Sequence, residues 1–452
     1  MRIALFVLPS LLAMATATAQ TPDPSANCRA WPAAPGPYRI GTVEFEVTDS
    51  LRSSQYAPTP TPVRRLYVRA WYPATTVSGP RRTYFTAAEA PVLPAALMSL
   101  LGQTAAVLAG CASLETNSYQ GASPAPGRFP VIGFNHGYTS YAAQQTALFE
   151  HLAANGYVVI ALGHPYESGG VVYPNGDAYP MSPAIAKDLM TVGSIKSGPV
   201  ALFGTDIRDR VRATGEYVKD LRKLSLGQLA PVWRDDVYFA LDRLEDGAVP
   251  DVAKPLAAAI DHDRRGYMGM SYGGYIAAML AQGDARAKAA VNLDGGNWTY
   301  ELVDRDLRTA FLMLNSDAVA GMKAIVSAAG ASANLYRGPY GPRTPTAGDV
   351  AYERVAAAGL RSDIFRVMIP GLLHLGITDF GELFGPALMP VLGDAGAAKR
   401  FTAVQNDLVL GFLDRYVKGK TNGFPKAALA AHPELLIRDR ADIRRQALRR
   451  AR

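Results

Sequence analysis

The chain has 452 residues, of which 49% are hydrophobic, with a formal charge of +7 and two cysteines. That composition excludes a disordered chain and a cysteine-rich scaffold, and no Cys/His cluster has the spacing of a zinc site. Most of the positive charge lies in residues 438–452, which carry seven arginines and two aspartates with no aromatic residue among them. A solvated basic tail is therefore expected there, and a nucleic-acid groove is not.

At the amino terminus Arg2 precedes an apolar run over residues 3–15, closed by Ala17-Thr18-Ala19. This is the pattern of a secretory signal peptide over residues 1–19, which assigns the mature chain to the periplasm or the exterior. The run is shorter than the roughly 20 residues of a membrane span. Residues 38–48 alternate Val43, Phe45 and Val47 with Thr42, Glu44 and Glu46, so a half-buried strand is predicted, with residues 66–72 as its partner. Residues 90–114 carry no charge. They read as a buried or cap helix, and the sharper alternative is an apolar lip that touches lipid. Export would permit a disulfide between Cys28 and Cys111, which spacing alone does not establish.

Residues 129–134 read as a buried strand that runs into Asn135-His136-Gly137-Tyr138-Thr139. A helix over 140–154, a strand over 157–162 and a long insertion over 165–233 follow. Helical spacing recurs at Ile207, Val211, Val218 and Leu221, and again at Val237, Leu241 and Leu244. A strand over 264–270 then leads into Gly269-Met270-Ser271-Tyr272-Gly273, with Gly274 next and an apolar helix start beyond. Gly-x-Ser-x-Gly between a strand and a helix describes a strained turn that exposes a nucleophilic serine. Such a serine still needs a base to remove its proton.

In a fold of this kind the chain order is nucleophile, acid, histidine. Of six histidines only His374 and His432 follow Ser271. His374 lies in the loop after a predicted strand over 364–369, where a base belongs; His432 adjoins Pro433 near the charged tail and reads as a surface residue. Two acids end apolar runs, Asp294 after 289–293 and Asp317 after 311–314. Both would lie at the carboxyl edge of a parallel strand, and the residues leave both open. Backbone N–H groups of Tyr272 and Tyr138 are the expected oxyanion donors, with His136 shaping its loop. The last packed helix is expected over 401–418, with Val404, Leu408 and Phe412 on one face.

Strands alternating with helical stretches imply an α/β fold, a mostly parallel sheet with helices on both faces. The expected organisation is one domain over 20–418, cap or lid insertions at about 81–123 and 165–233, and a basic tail over 419–452.

His136-Gly137, Gly-Met-Ser271-Tyr-Gly-Gly, Leu293-Asp294 and Gly-Leu-Leu-His374 followed by Asp379-Phe380 resemble the platelet-activating-factor acetylhydrolase family, in matching order over residues 38–418. Secreted bacterial esterases and lipases share much of the pattern. The resemblance implies an α/β-hydrolase fold and favours Asp294 over Asp317 as the triad acid. Departures from the family fall at Tyr138, at Tyr272 and at the Gly295-Gly296 pair, which stands where the family tends to carry a larger apolar group. They are expected to alter the acyl or alcohol pocket. The expected function is a secreted serine esterase acting on short-acyl, lipid-like esters through Ser271, His374 and Asp294, without metal or cofactor. Contact with a lipid surface is an expected partner interaction, and no membrane span is expected in the mature chain. Alternatives are a polyester or aromatic-ester hydrolase and a peptidase of similar fold. The non-enzyme alternative is an envelope lipid-binding module on a hydrolase scaffold.

Overall fold

The computed structural model describes residues 31–58, 63–77, 79–101, 108, 111, 113–203, 207–296, 307–317, 363–383 and 398–439. The signal-peptide residues, Cys28 and most of the basic tail lie outside them.

Fourteen strands are placed among these residues: β1 (Arg39–Ser53), β2 (Val63–Thr76), β3 (Arg81–Thr83), β4 (Glu115–Gln120), β5 (Ser123–Pro124), β6 (Phe129–Asn135), β7 (Val158–Gly163), β8 (Gly170–Val172), β9 (Ala178–Pro180), β10 (Ile260–Met270), β11 (Ala287–Leu293), β12 (Ala310–Asn315), β13 (Ile364–Met368) and β14 (Leu436–Asp439). All but β8 and β9 form one sheet, ordered β14-β13-β12-β11-β10-β6-β7-β2-β1-β4-β3, with β5 on β2. The run from β13 to β7 is parallel. Every residue of β6, β7 and β12 is buried, as expected for parallel strands covered on both faces. β1 and β2 pair antiparallel, as the predicted partnership requires, with Val43 opposite Ala70 and Phe45 opposite Val68.

Four helices position the site: α1 (Thr146–Ala154), α2 (Ser225–Glu245), α3 (Tyr272–Gly283) and α4 (Ala398–Tyr416). On one face of the sheet Leu148, Phe149 and Leu152 of α1 join Val404, Leu408 and Phe412 of α4 over Met268, Val291 and Leu312. On the other, Val237, Leu241 and Leu244 of α2 and Ile276 and Leu280 of α3 cover Tyr267, Ala290 and Phe311. Alternate residues of each strand thus feed opposite cores, and the fold is α/β-hydrolase, with helices on both faces of a mostly parallel sheet.

Three expectations differ from the structure. Residues 81–123 are not only a cap: β3 and β4 extend the sheet beyond β1, because Arg82 is held by Glu44 of β1 at 2.9 Å and by Glu89 at 2.7 Å. The lip reading fails for the residues described, since Leu97, Met98, Leu101 and Leu108 are all buried. Burying each such side chain is worth about 1.5–3 kcal/mol, so they act as core. The tail does not begin at 419, because β14 pairs antiparallel with β13 and closes the sheet edge through Arg438 and Asp439. The insertion 165–233 is helical beyond the β8–β9 hairpin, and Tyr217, Leu221, Leu229 and Trp233 anchor it in the core. Cys111 is disulfide-bonded, and Cys28 is the only other cysteine in the chain. Among the described residues no helix is long and apolar enough to cross a membrane.

Candidate active site

Ser271 sits between β10 and α3 with φ of +53°, a conformation that L-residues seldom adopt and that marks a strained turn. Its neighbours must be glycine: a Cβ on Gly269 would lie 2.1 Å from the Gly273 carbonyl oxygen, and one on Gly273 would lie 2.0 Å from that of Asn135. The Ser271 N–H donates to the Leu293 carbonyl at 2.7 Å, tying the turn to the end of β11.

Asp294 follows β11 with φ of +56°, and its N–H donates to the Leu314 carbonyl at 2.7 Å. His374 opens a short helical turn, His374–Ile377, after β13. The structure brings these three side chains together. His374 Nδ1 lies 2.6 Å from Asp294 Oδ2, and Nε2 lies 3.0 Å from Ser271 Oγ. With a carboxylate facing it, Nδ1 donates, which leaves Nε2 to accept from the serine hydroxyl. Asp294 also accepts from Ser316, whose hydroxyl donates at 2.6 Å and whose N–H donates at 2.9 Å, and from Asn315 Nδ2 at 3.5 Å. Burial pushes the Asp294 pKa up, but His374 and Ser316 together hold it below the ordinary carboxylate value.

Asp317 takes a different place. Its carboxylate accepts the Gly371 N–H at 3.1 Å and its own N–H donates to the Leu372 carbonyl at 2.7 Å. It braces the histidine loop from outside the relay. The segment Asn315-Ser316-Asp317 therefore supports Asp294 through Ser316, which the sequence does not announce because a lone serine beside a candidate acid carries no signal of its own.

The loop after β6 lies against Ser271: a Cβ on Gly137 would sit 3.6 Å from Ser271 Cβ. Tyr138 and Tyr272 pack edge to face with ring centroids 5.1 Å apart. The Tyr138 hydroxyl donates to Ser225 Oγ at 2.5 Å and that of Tyr272 to the Leu226 carbonyl at 2.6 Å. Both rings are thus anchored on the first turn of α2 and packed in the core. Gly295 has a steric cause. A Cβ there would lie 2.3 Å from the Ser271 carbonyl oxygen, so the larger residue expected from the resemblance does not fit.

His136 Nδ1 lies 2.7 Å from the Gly137 carbonyl, to which it donates. Burial, with His164 nearby, pushes its pKa down to about 3, so it is neutral and shapes its loop. His432 pairs with Asp407 at 3.0 Å, outside this cluster. Two other groups around the site gave no signal in the sequence: Gln144, which bonds the Gly137 N–H, and a buried cluster of Arg64, His164, Glu167 and Asp236. Among the described residues no group of His, Cys, Asp and Glu could hold a metal ion.

The family model described as "Platelet-activating factor acetylhydrolase, isoform II" matches residues 25–422. Among solved structures the chain is similar to the ferulic acid esterase from Streptomyces cinnamoneus, at 23% identity and a TM-score of 0.63, covering 90% of this chain and 98% of that one. No curated protein matches it. Nearly the whole described fold falls within the matched range, and on that footing the chain belongs to the platelet-activating factor acetylhydrolase, isoform II, family and is a carboxylic ester hydrolase.

Proposed function

We propose that the protein is a secreted serine esterase in which Ser271 is the nucleophile, His374 the general base and Asp294 the residue that orients it. The observation that carries this reading is the continuous relay from Asp294 through His374 to Ser271, at 2.6 and 3.0 Å. His374 Nε2 takes the hydroxyl proton as Oγ attacks the ester carbonyl, and Asp294 stabilises the imidazolium that forms. The tetrahedral oxyanion is held by the N–H groups of Tyr138 and Tyr272. Collapse expels the alcohol, which takes the proton from His374. Water, deprotonated by His374 in turn, then releases the acid from the acyl-enzyme and restores the serine.

Short-acyl, lipid-like esters are the first substrate class, supported by the family. An aromatic ester is the second, supported by the ferulic acid esterase neighbour. Secretion is supported by Ala17-Thr18-Ala19 after the apolar run and by the bonded state of Cys111, since disulfides persist in oxidising compartments. A panel of p-nitrophenyl esters from acetate to palmitate, run beside methyl ferulate, tests the substrate. Highest kcat/KM on acetate or butyrate is the expected result. A maximum on methyl ferulate would replace the lipid-like substrate with an aromatic one, and no turnover of any ester would overturn the reading.

A further inference from the structure

Gln144 lies in the turn before α1, buried, and its two ends reach two different loops of the site. Its side-chain Oε1 accepts the Gly137 N–H at 2.6 Å. Its main-chain carbonyl accepts the Asp379 N–H at 3.1 Å. The first bond falls on the loop beside Ser271, and the second falls five residues after His374. The next residue, Gln145, adds a bond from Nε2 to the Ile377 carbonyl at 2.8 Å.

Gly137 is fixed on both of the peptides that meet at it. Its carbonyl accepts from Ser140 N–H at 3.0 Å and from His136 Nδ1 at 2.7 Å, while its N–H is taken by Gln144. In the loop after β6, which lies against Ser271, the N–H groups of Gly137 and Tyr138 follow one another. Gln144 consumes the first, and among the described residues the second has no acceptor. An orphan N–H beside a nucleophilic serine is what an oxyanion site requires. The Tyr138 N–H shares a plane with the Gly137 carbonyl, which Ser140 and His136 hold, and that plane turns on the Gly137 Cα, which the Gln144 bond to the preceding peptide helps to hold.

We propose that Gln144 is a positioning residue for ester hydrolysis: its amide oxygen fixes the His136–Gly137 peptide and so helps to hold the Gly137 Cα on which the Tyr138 N–H turns towards the oxyanion. The inference rests on the serine-esterase reading above. Removing one oxyanion donor outright costs about 10²–10³ in kcat, and misaiming one costs less.

The test uses Gln144→Leu, which removes the acceptor at similar volume, and Gln144→Glu, which keeps an oxygen in place. Each is assayed for kcat, for KM, and for binding of a trifluoromethyl ketone, whose adduct carries the oxyanion. Gln144→Leu is expected to lower kcat about 10–100-fold with KM within threefold. Ketone affinity should fall in the same proportion, and Gln144→Glu should recover most of both. A folded Gln144→Leu with parental kcat, or a loss of kcat without weaker ketone binding, overturns the proposal. If Gln144→Leu does not fold, Gln144→Met carries the same comparison. Failure of a fluorophosphonate to modify Ser271 in the parent protein would instead overturn the serine-esterase reading itself, so the two failures are distinguishable.

Discussion

Among the described residues, two histidine–aspartate pairs share almost the same geometry at Nδ1. In one, His374 Nδ1 is 2.6 Å from Asp294; in the other, His164 Nδ1 is 2.7 Å from Asp236. Their surroundings differ. The side chains of His374 and Asp294 are 31% and 9% exposed, whereas those of His164 and Asp236 are wholly buried. His164 stacks on Trp233 at 4.0 Å and 9°, and its Nε2 lies 2.9 Å from Asn135 Oδ1. Asp236 also pairs with Arg64, which holds Glu167 at 2.7 Å. Burial pushes the Asp236 pKa up, but Arg64 and His164 bring it well below the ordinary range. The buried pair is a strut that joins β2, the segment after β7, α2 and the end of β6. The pair alone does not define an active site; the group on Nε2 and its access to solvent do.

Exchanging the same residues at the two pairs should separate chemistry from stability. His374→Ala is expected to lower kcat by about 10⁵–10⁶, the scale for loss of a triad base, with little change in the melting temperature. His164→Ala should do the reverse, losing stability with kcat per folded molecule within tenfold. Steady-state kinetics beside calorimetry decide it; a His164→Ala loss matching that of His374→Ala would make the second pair part of the chemistry.

The carboxylates sharpen the contrast at a smaller scale. Asp294→Asn should cost about 10⁴ in kcat, because the imidazole is left in the wrong tautomer. Asp236→Asn breaks a buried ion pair, a change worth about 3–5 kcal/mol, and should show in denaturant midpoint. Asp317→Asn, outside both pairs, should lower kcat less than tenfold. A larger loss at Asp317 than at Asp294 would move the acid.

The smallest effect concerns His136, whose ring faces His164 and Trp233. Its pKa falls from 6.5 in the ordinary case to about 3 in the fold. The unfolded chain therefore takes up a proton that the fold refuses. Its share of stability is complete above pH 6.5 and is lost as the pH falls from there towards 3, at up to about 1.4 kcal/mol per pH unit. His164, also pushed down by burial, contributes with the same sign. Melting temperature against pH should be shallower in His136→Asn than in the parent between pH 6 and 4, and identical slopes would remove His136 from the acid transition.

The pattern that was readable in the sequence is the local one. Gly269 to Gly273 announces its turn because two close backbone approaches exclude any side chain there, and β6, β7 and β12 announce themselves as unbroken apolar runs. The order of Ser271, Asp294 and His374 is a property of the chain and is visible in it. What was hidden is long-range. Arg82 reaches back 38 residues to Glu44, which draws β3 and β4 into the sheet where a cap was expected. Arg438 and Asp439 read as tail because nothing local shows that β13 has a free edge. Ser316 acts through hydrogen bonds to Asp294 and Gln144 through one to Gly137, which no local pattern shows, and His164 resembles any strand-end histidine until Asp236 and Trp233 are beside it.

The central claim is that Ser271 is activated by His374, and covalent labelling tests it most directly. A fluorophosphonate probe, followed by peptide mass mapping, should modify Ser271 alone among the serines. Labelling should be lost in Ser271→Ala, slowed strongly in His374→Ala and unchanged per folded molecule in His164→Ala. Modification elsewhere in the parent protein, or ester hydrolysis by Ser271→Ala at the parental rate, would contradict it.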